Sequence, residues 1–311
     1  MEKLKMNIQF FGAVLREDAE ALIEAQVSNE IIKGVIGQSA ILKHAKRLPD
    51  MTSNETVLNV EDVLPVAGFV NGDVGLKPTS DASWKNVKVT AEEIAVIIPF
   101  SENVLDDANY DLIGQLKPRI EEAFGKVIDS AGLFGVNIPV SWGQGLVQKA
   151  TSAGNTVAYS ADDTLYNRID KTMAKVEEDG FVANAILGSV KLKSGFRNMV
   201  DKNGQPIQGT EIDSISRDYV VNGSWDDTRA TFITGDFNNL VYAIRQDITY
   251  KLLDQAVITD ESGKVLYNLA QNDMLALRVK MRIGIATPNP TNRLNESEST
   301  RFPFAVALPQ A

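Results

Sequence analysis

The side chains able to do chemistry in this chain are carboxylates, lysines and hydroxyls, because it holds no cysteine and one histidine, His44. Thiol nucleophiles, disulfide scaffolds, iron–sulfur clusters and thiolate zinc sites are therefore excluded. Carboxylates occur as neighbours at Glu92-Glu93, Asp106-Asp107, Glu121-Glu122, Asp162-Asp163, Glu177-Glu178 and Asp226-Asp227. General acid–base work needs two carboxyls converging on one substrate. Side chains at i and i+1 on a helix point apart, so these pairs read as solvated faces and helix-end charges. No GxxxxGK(S/T) or GxGxxG phosphate loop is present. WGQG (142–145) lacks a third glycine and no helix is expected after it, while DKNG (201–204) is followed by Pro206 and reads as a turn rather than a calcium loop. His44 lies among Lys43, Lys46 and Arg47 and reads as a partly exposed histidine at the end of an element. That basic cluster suits an acidic neighbouring subunit better than nucleic acid. Trp84, Trp142 and Trp225 are too scattered to form a base-stacking platform. No enzyme, cofactor or metal site is expected.

Composition narrows the class further. At 311 residues the chain is long enough for about two domains. Its 41 acidic residues against 31 basic ones give a net charge of −10, which opposes a surface built to grip phosphates. The N-terminal MEKLKMNIQFFGAVL is interrupted by Asn7 and Gln9 and followed by Arg16-Glu17-Asp18, unlike a signal peptide. The longest apolar run, IAVIIPF (94–100), falls far short of the ~20 residues that span a bilayer. A soluble protein made in the cytoplasm is expected, one in which the sequons at Asn54, Asn222 and Asn295 carry nothing.

The elements that position these residues follow from periodicity. Ala19, Leu22, Ile23, Ala25, Val27, Ile31 and Ile32 predict an amphipathic helix over 17–36. From 50 to about 100 the pattern alternates. VLNVEDVLPVAGFV and WKNVKVTAEEIAVIIPF flank an Asn71-Gly72 turn, forming a polar ribbon that cannot supply its own core and is marginal in water without a covering neighbour. Leu112, Leu116, Ile120, Phe124, Val127/Ile128 and Ala131 predict a long helix, divided near Lys117-Pro118 and running to Phe134. Short strands and turns are expected over 136–160, a helix over 162–179, a buried strand at 185–189 and mostly strands after 208. In NDMLALRVKMRIGIAT (272–287), Leu275, Leu277, Val279, Met281, Ile283 and Ile285 alternate with Arg278, Lys280 and Arg282, predicting a long half-exposed strand.

This order of elements, with particular residues, is similar to one family. PVAGFVNGDVGLKPTSDASWKNVKVTAEEIAVIIPFSENVLDDANYDL (65–112) resembles the extended arm and following helix start of tailed-bacteriophage major capsid proteins. The resemblance rests on Phe69-Val70, Lys77, Ser80, Trp84, Val87, Ile94-Ala95 and Ser101 to Asp107. ILGSVKLKSGFRNMVDKNGQPI (186–207), GDFNNLVYAIRQDITYKLLDQA (235–256) and QNDMLALRVKMRIGIAT (271–287) resemble later segments in the same order, and MNIQFF (6–11) looks like the family's common starts.

The resemblance implies an α+β phage major-capsid fold. Its expected parts are an N-terminal arm (1–48), an extended β-hairpin arm or E-loop (49–98), a peripheral domain with a spine helix (99–190), an axial domain (191–268) and a return to the peripheral domain with a tail (269–311). It also implies a non-enzymatic shell protein, assembling as pentamers and hexamers around phage double-stranded DNA without sequence-specific binding. The virion would be its destination and the bacterial host cytoplasm its place of assembly. A separate scaffolding protein, a portal and decoration proteins are the expected partners. Lys77, Trp84, Lys85, Lys88, Lys43 and Arg47 are the candidate inter-subunit contacts. Some relatives join an arm lysine covalently to an asparagine of a neighbour, for which Asn289 and Asn292 are the positions to inspect; ordinary salt bridges are the simpler expectation. The alternative function is an encapsulin-type nanocompartment, which shares the fold. Under the phage-shell reading a net negative charge suits a container that must not grip the DNA it encloses.

Overall fold

The computed structural model describes residues 34–70, 77, 79–102, 112–200, 205, 215–260 and 262–310. A helical turn over 34–38 leads to Ser39, whose hydroxyl accepts the Leu42 N–H and caps helix α1 (Ala40–His44). Strands β1 (Lys46–Arg47), β2 (Glu55–Val63), β3 (Ser83–Thr90) and β4 (Glu92–Ser101) precede the long helix α2 (Leu112–Phe134). Next come α3 (Leu146–Ala153), β5 (Thr156–Val157), α4 (Leu165–Glu178), β6 (Ala185–Ser189) and α5 (Leu192–Arg197). Strands β7 (Ser216–Val220), β8 (Phe232–Gly235), β9 (Val241–Leu253), β10 (Val257–Thr259), β11 (Val265–Asn268), β12 (Met274–Ala286) and β13 (Phe304–Ala307) complete the order.

Two sheets organise the described residues. One is four-stranded in the order β1-β9-β12-β4, and the other is five-stranded in the order β5-β13-β8-β6-β7. The expected alternation in β12 is realised: Leu277, Val279, Met281, Ile283 and Ile285 are buried, and Arg278, Lys280 and Arg282 are half-exposed. The buried set joins Ile244 and Ile248 of β9 and Ile120, Phe124, Ile128, Leu133 and Phe134 of α2 in one core. Of the Val127/Ile128 pair, Ile128 turns inward and Val127 outward. A second core packs Ile169, Met173 and Val176 of α4 against Ile186, Phe232, Ala305 and Ala307 of the other sheet.

Several expectations are corrected. Helix α2 runs unbroken through Pro118. The carbonyl that a proline ring crowds belongs to the residue four back, here Gly114, whose backbone has the freedom to move aside. Residues 146–153, expected as strand and turn, form α3, started at Gly145 and stopped by Gly154 in the left-handed region at φ 86°. That helix directly follows WGQG, contrary to expectation, yet Gly145 serves packing: a side chain there would overlap the Phe134–Gly135 backbone. The second arm strand breaks at Ala91, which is buried and donates its N–H to the Asn54 carbonyl. Beyond it β4 pairs with β12, from Glu92 opposite Ile283 to Ser101 opposite Met274. The β2–β3 ribbon therefore ends at Thr90 rather than 98. In the sheets β9 joins β12, while β13 lies between β5 and β8. The expected helix before residue 34, the Asn71-Gly72 turn, the 103–111 stretch and DKNG lie outside the described residues.

Candidate assembly surfaces

The β2–β3 ribbon is built to be covered by something. Its antiparallel register sets Glu55 opposite Thr90, Leu58 opposite Val87 and Glu61 opposite Trp84. At its root Val89 is fully buried with Met51, Ala91, Val241 and Ala243. Farther out the apolar residues have no cover: Val66 is 65% exposed, Phe69 107% and Trp84 65%. Burying one such side chain is worth about 1.5–3 kcal/mol, so the ribbon leaves a large apolar stabilisation unrealised in the isolated chain. A patch of this kind marks an interaction surface.

The other candidate residues divide into free and engaged groups. Lys77 is exposed. Lys88 Nζ lies 3.3 Å from Glu55 across the ribbon, and Lys85 is ion-paired with Glu298 of its own chain. Asn289 and Asn292, the asparagines of the cross-linking expectation, are occupied in a clasp. Asn289 Nδ2 donates to the Arg301 carbonyl at 2.7 Å, and Asn292 Nδ2 donates to the Asp179 carbonyl at 2.6 Å. Asp179, also buried, accepts from Asn155 Nδ2 at 2.6 Å, the Phe302 N–H at 2.9 Å and Asn295 Nδ2 at 2.8 Å. Both asparagine amides are thus engaged within their own chain rather than presented to an arm lysine of a neighbour. Assembled protein is therefore expected to run on a denaturing gel as a single 34.0 kDa band, and a ladder that survives denaturation would contradict this.

Lys43 and Arg47 flank the exit from α1. Lys43 Nζ and His44 Nε2 lie 3.3 and 3.4 Å from Asp218 Oδ2 of β7, and Arg47 donates to Asp50 at 2.9 Å. The His44 ring also packs on Phe237, with centroids 5.5 Å apart. The His44 contact first, with Lys43 and the Tyr219 N–H behind it, holds the Asp218 carboxyl below its ordinary value against the opposing effect of burial. A depressed carboxylate pKa stabilises the fold fully above the unfolded value and loses that effect as pH falls through the folded one. Asp218→Asn is thus expected to lower the melting temperature near neutrality and to leave it closer to wild type below about pH 4, the ordinary carboxylate range, in melts across pH 3–7.

The opposite end of α1 holds residues that the sequence reading missed. Asp129 of α2, fully buried, accepts from Ser39 Oγ at 2.6 Å, Ala40 N at 3.0 Å, Ile41 N at 3.1 Å and Asn222 Nδ2 at 2.8 Å. Burial pushes its carboxyl above the ordinary value, opposed by those hydrogen bonds. Gly125 and Gly132 flank it on the same side of α2. A Cβ on Gly125 would come within 3.2 Å of the Gln38–Ser39 backbone, and one on Gly132 would overlap Ile41. The i, i+4, i+7 spacing of Gly125, Asp129 and Gly132 is the signal that marks this groove.

Among the described residues, the members of two neighbouring carboxylate pairs are engaged with different partners. Glu92 accepts from Ser141 while Glu93 faces Lys280, and Asp226 binds Thr228 and Arg229 while Asp227 faces Lys191. Among the described residues no group of three His, Cys, Asp or Glu side chains is placed to hold a metal ion, and no helix is long and apolar enough to cross a membrane.

The described residues form a mixed helix–sheet subunit whose arm carries exposed apolar side chains. The model of the phage capsid family matches residues 19–291. A major capsid protein of Staphylococcus phage 80alpha is 29% identical over 303 residues, covering 91% of this chain and 91% of its own length. Among solved structures, a chain from Microbacterium phage Oxtober96 is 35% identical with a TM-score of 0.77, covering 88% of this chain and 91% of that one. One from Mycobacterium phage Adephagia is 29% identical with a TM-score of 0.78, covering 88% and 90%. The chain belongs to the phage capsid family, and its function is that of a phage major capsid protein, a structural component of the virion. These relatives favour the phage shell over the encapsulin alternative.

Proposed function

We propose that this chain closes into pentamers and hexamers that tile an icosahedral shell around phage double-stranded DNA. The observation that carries the proposal is the β2–β3 ribbon, whose Phe69 and Trp84 stand in solvent beyond a well-packed root. In a ring of identical copies each ribbon lies on the next subunit and receives the cover that it lacks alone. The four-stranded sheet with α2 serves as the peripheral domain, and the five-stranded sheet with α4 as the axial domain. Lys77, Trp84, Lys85, Lys88, Lys43 and Arg47 stand at the edges where copies meet. Assembly takes place in the host cytoplasm with a scaffolding protein and a portal, and decoration proteins bind the finished surface. The net charge of −10 supports a container that encloses DNA without binding particular sequences.

Mass measurement on the purified chain tests this reading. Species at five and six times 34.0 kDa, or closed particles, are expected. A 34.0 kDa monomer that persists at all protein and salt concentrations would sink it.

A further inference from the structure

The joint between α2, the Gln38–Ser39 backbone and the 222–224 loop contains a reactive pair. An asparagine followed by glycine is prone to deamidation, because glycine has no side chain to screen its backbone nitrogen from the asparagine amide carbon. The sequence holds three such pairs, Asn71-Gly72, Asn203-Gly204 and Asn222-Gly223, and the last lies within the described residues.

The two reacting groups of that pair sit in different surroundings. Gly223 is exposed, and among the described residues its N–H donates to no group. Asn222 is buried, and its amide is held from both sides. Its Nδ2 donates to Asp129 Oδ2 at 2.8 Å and to the Gln38 carbonyl at 3.0 Å. Its Oδ1 accepts from the Ser224 N–H at 3.1 Å and from Ser224 Oγ at 2.6 Å. The nucleophile is free and the electrophile is locked. Reaction therefore waits on local opening, and the four hydrogen bonds set how often that happens.

We propose that Asn222 is a deamidation site protected by the closed joint, and that its conversion breaks the joint irreversibly. In the open state the Gly223 nitrogen attacks the Asn222 amide carbon. The new carbon–nitrogen bond closes a succinimide, and the amide nitrogen departs as ammonia with the Gly223 proton. Water then opens the ring to aspartate or isoaspartate, so no oxidant or further reactant is needed. Either product lacks both Nδ2 protons. The Gln38 carbonyl loses its donor, and a second carboxylate is placed against that of Asp129 in a buried site, where like charges disfavour one another. Isoaspartate also lengthens the main chain within the loop. A chain that is slow to dock its 38–44 segment on α2 is thus marked covalently, and the mark opposes later docking.

Peptide mapping by mass spectrometry, with aspartyl and isoaspartyl forms separated, reads the site during incubation at mildly alkaline pH. In the unaltered folded chain Asn222 is expected to convert about ten-fold or more slowly than in the same chain held unfolded in guanidinium chloride. Folded Asp129→Ala, which lacks one side of the lock, should convert about ten-fold faster than the unaltered folded chain. Equal rates in the folded and unfolded chain overturn the protection, and an unaccelerated Asp129→Ala chain overturns the part given to Asp129. The consequence is read with Asn222→Asp, which carries the aspartate product. It is expected to melt below the unaltered chain, and adding Asp129→Asn, which again sets an amide against a carboxylate, should recover part of the loss. An Asn222→Asp chain that melts with the unaltered one overturns the broken joint, and a combined variant with no recovery overturns the clash of carboxylates. Should Asn222→Asp not fold, the comparison of folded and unfolded rates in the unaltered chain still decides the protection.

Discussion

An Asp129→Ala variant is expected to lose about 3 kcal/mol of stability, seen as a fall of roughly 5–10 °C in melting temperature, because it strands four buried donors at once. Two of those donors are the first backbone N–H groups of α1, which a helix cannot satisfy internally. Another is the Ser39 hydroxyl that caps the same helix, and the last is the Asn222 amide, which also donates to the Gln38 carbonyl at 3.0 Å. One carboxylate thus ties the N-terminal segment and the 222–224 loop to α2. The loss is smaller than the sum of stranded donors, since the variant also removes a charge that is costly to bury, the same desolvation that raises the Asp129 pKa. Asp129→Asn should fall between the two, because it keeps one acceptor oxygen and turns a donor toward a donor. The pH dependence has the opposite sign to that of Asp218. Folding raises the Asp129 pKa, so this group's contribution to stability declines as pH rises from the unfolded value through the folded one. Thermal melts by circular dichroism decide the matter: a variant that melts within about 1 °C of wild type would show that the carboxylate does not hold α1.

A Phe69→Ser/Trp84→Ser variant is expected to do the reverse, leaving the melting temperature of the isolated subunit unchanged and abolishing assembly. Phe69 is 107% exposed and Trp84 65%, so neither supports the fold that carries it. Surface replacements of this kind usually stay within about 0.5 kcal/mol. In an assembly each side chain would bury an apolar surface worth about 1.5–3 kcal/mol, and a closed ring repeats the loss at every contact. Sedimentation should then show only subunits under conditions in which the unaltered chain forms rings or particles. Unimpaired assembly would show that the exposed arm plays no part in it.

How far the sequence carried the fold depends on how local each signal was. The Ile120–Phe124–Ile128 spacing and the alternation through Leu277, Val279 and Met281 are set by neighbours along the chain, and both elements form as read. The break at Ala91 was not legible, because β3 and β4 share one alternation and part company only where the buried Ala91 N–H turns to the Asn54 carbonyl. Helix α3 was hidden by a glycine-rich approach that serves close packing on the Phe134–Gly135 backbone. Sheet membership was hidden too. The pairing of β9 with β12, and of β13 with β8, joins residues far apart in sequence through backbone groups common to every residue. The arm itself was legible because a polar ribbon with no core of its own is visible in the pattern, whereas the exposure of Phe69 emerges only from the structure. Asp129 was missed because a lone acid beside an apolar series resembles a surface residue until the Gly125 and Gly132 spacing is read with it.

The central claim, that this subunit exists to tile a shell, is tested most directly by negative-stain electron microscopy of the purified protein across salt and concentration. Closed particles or rings of five and six subunits are the expected result. Uniform single subunits under every condition would contradict it.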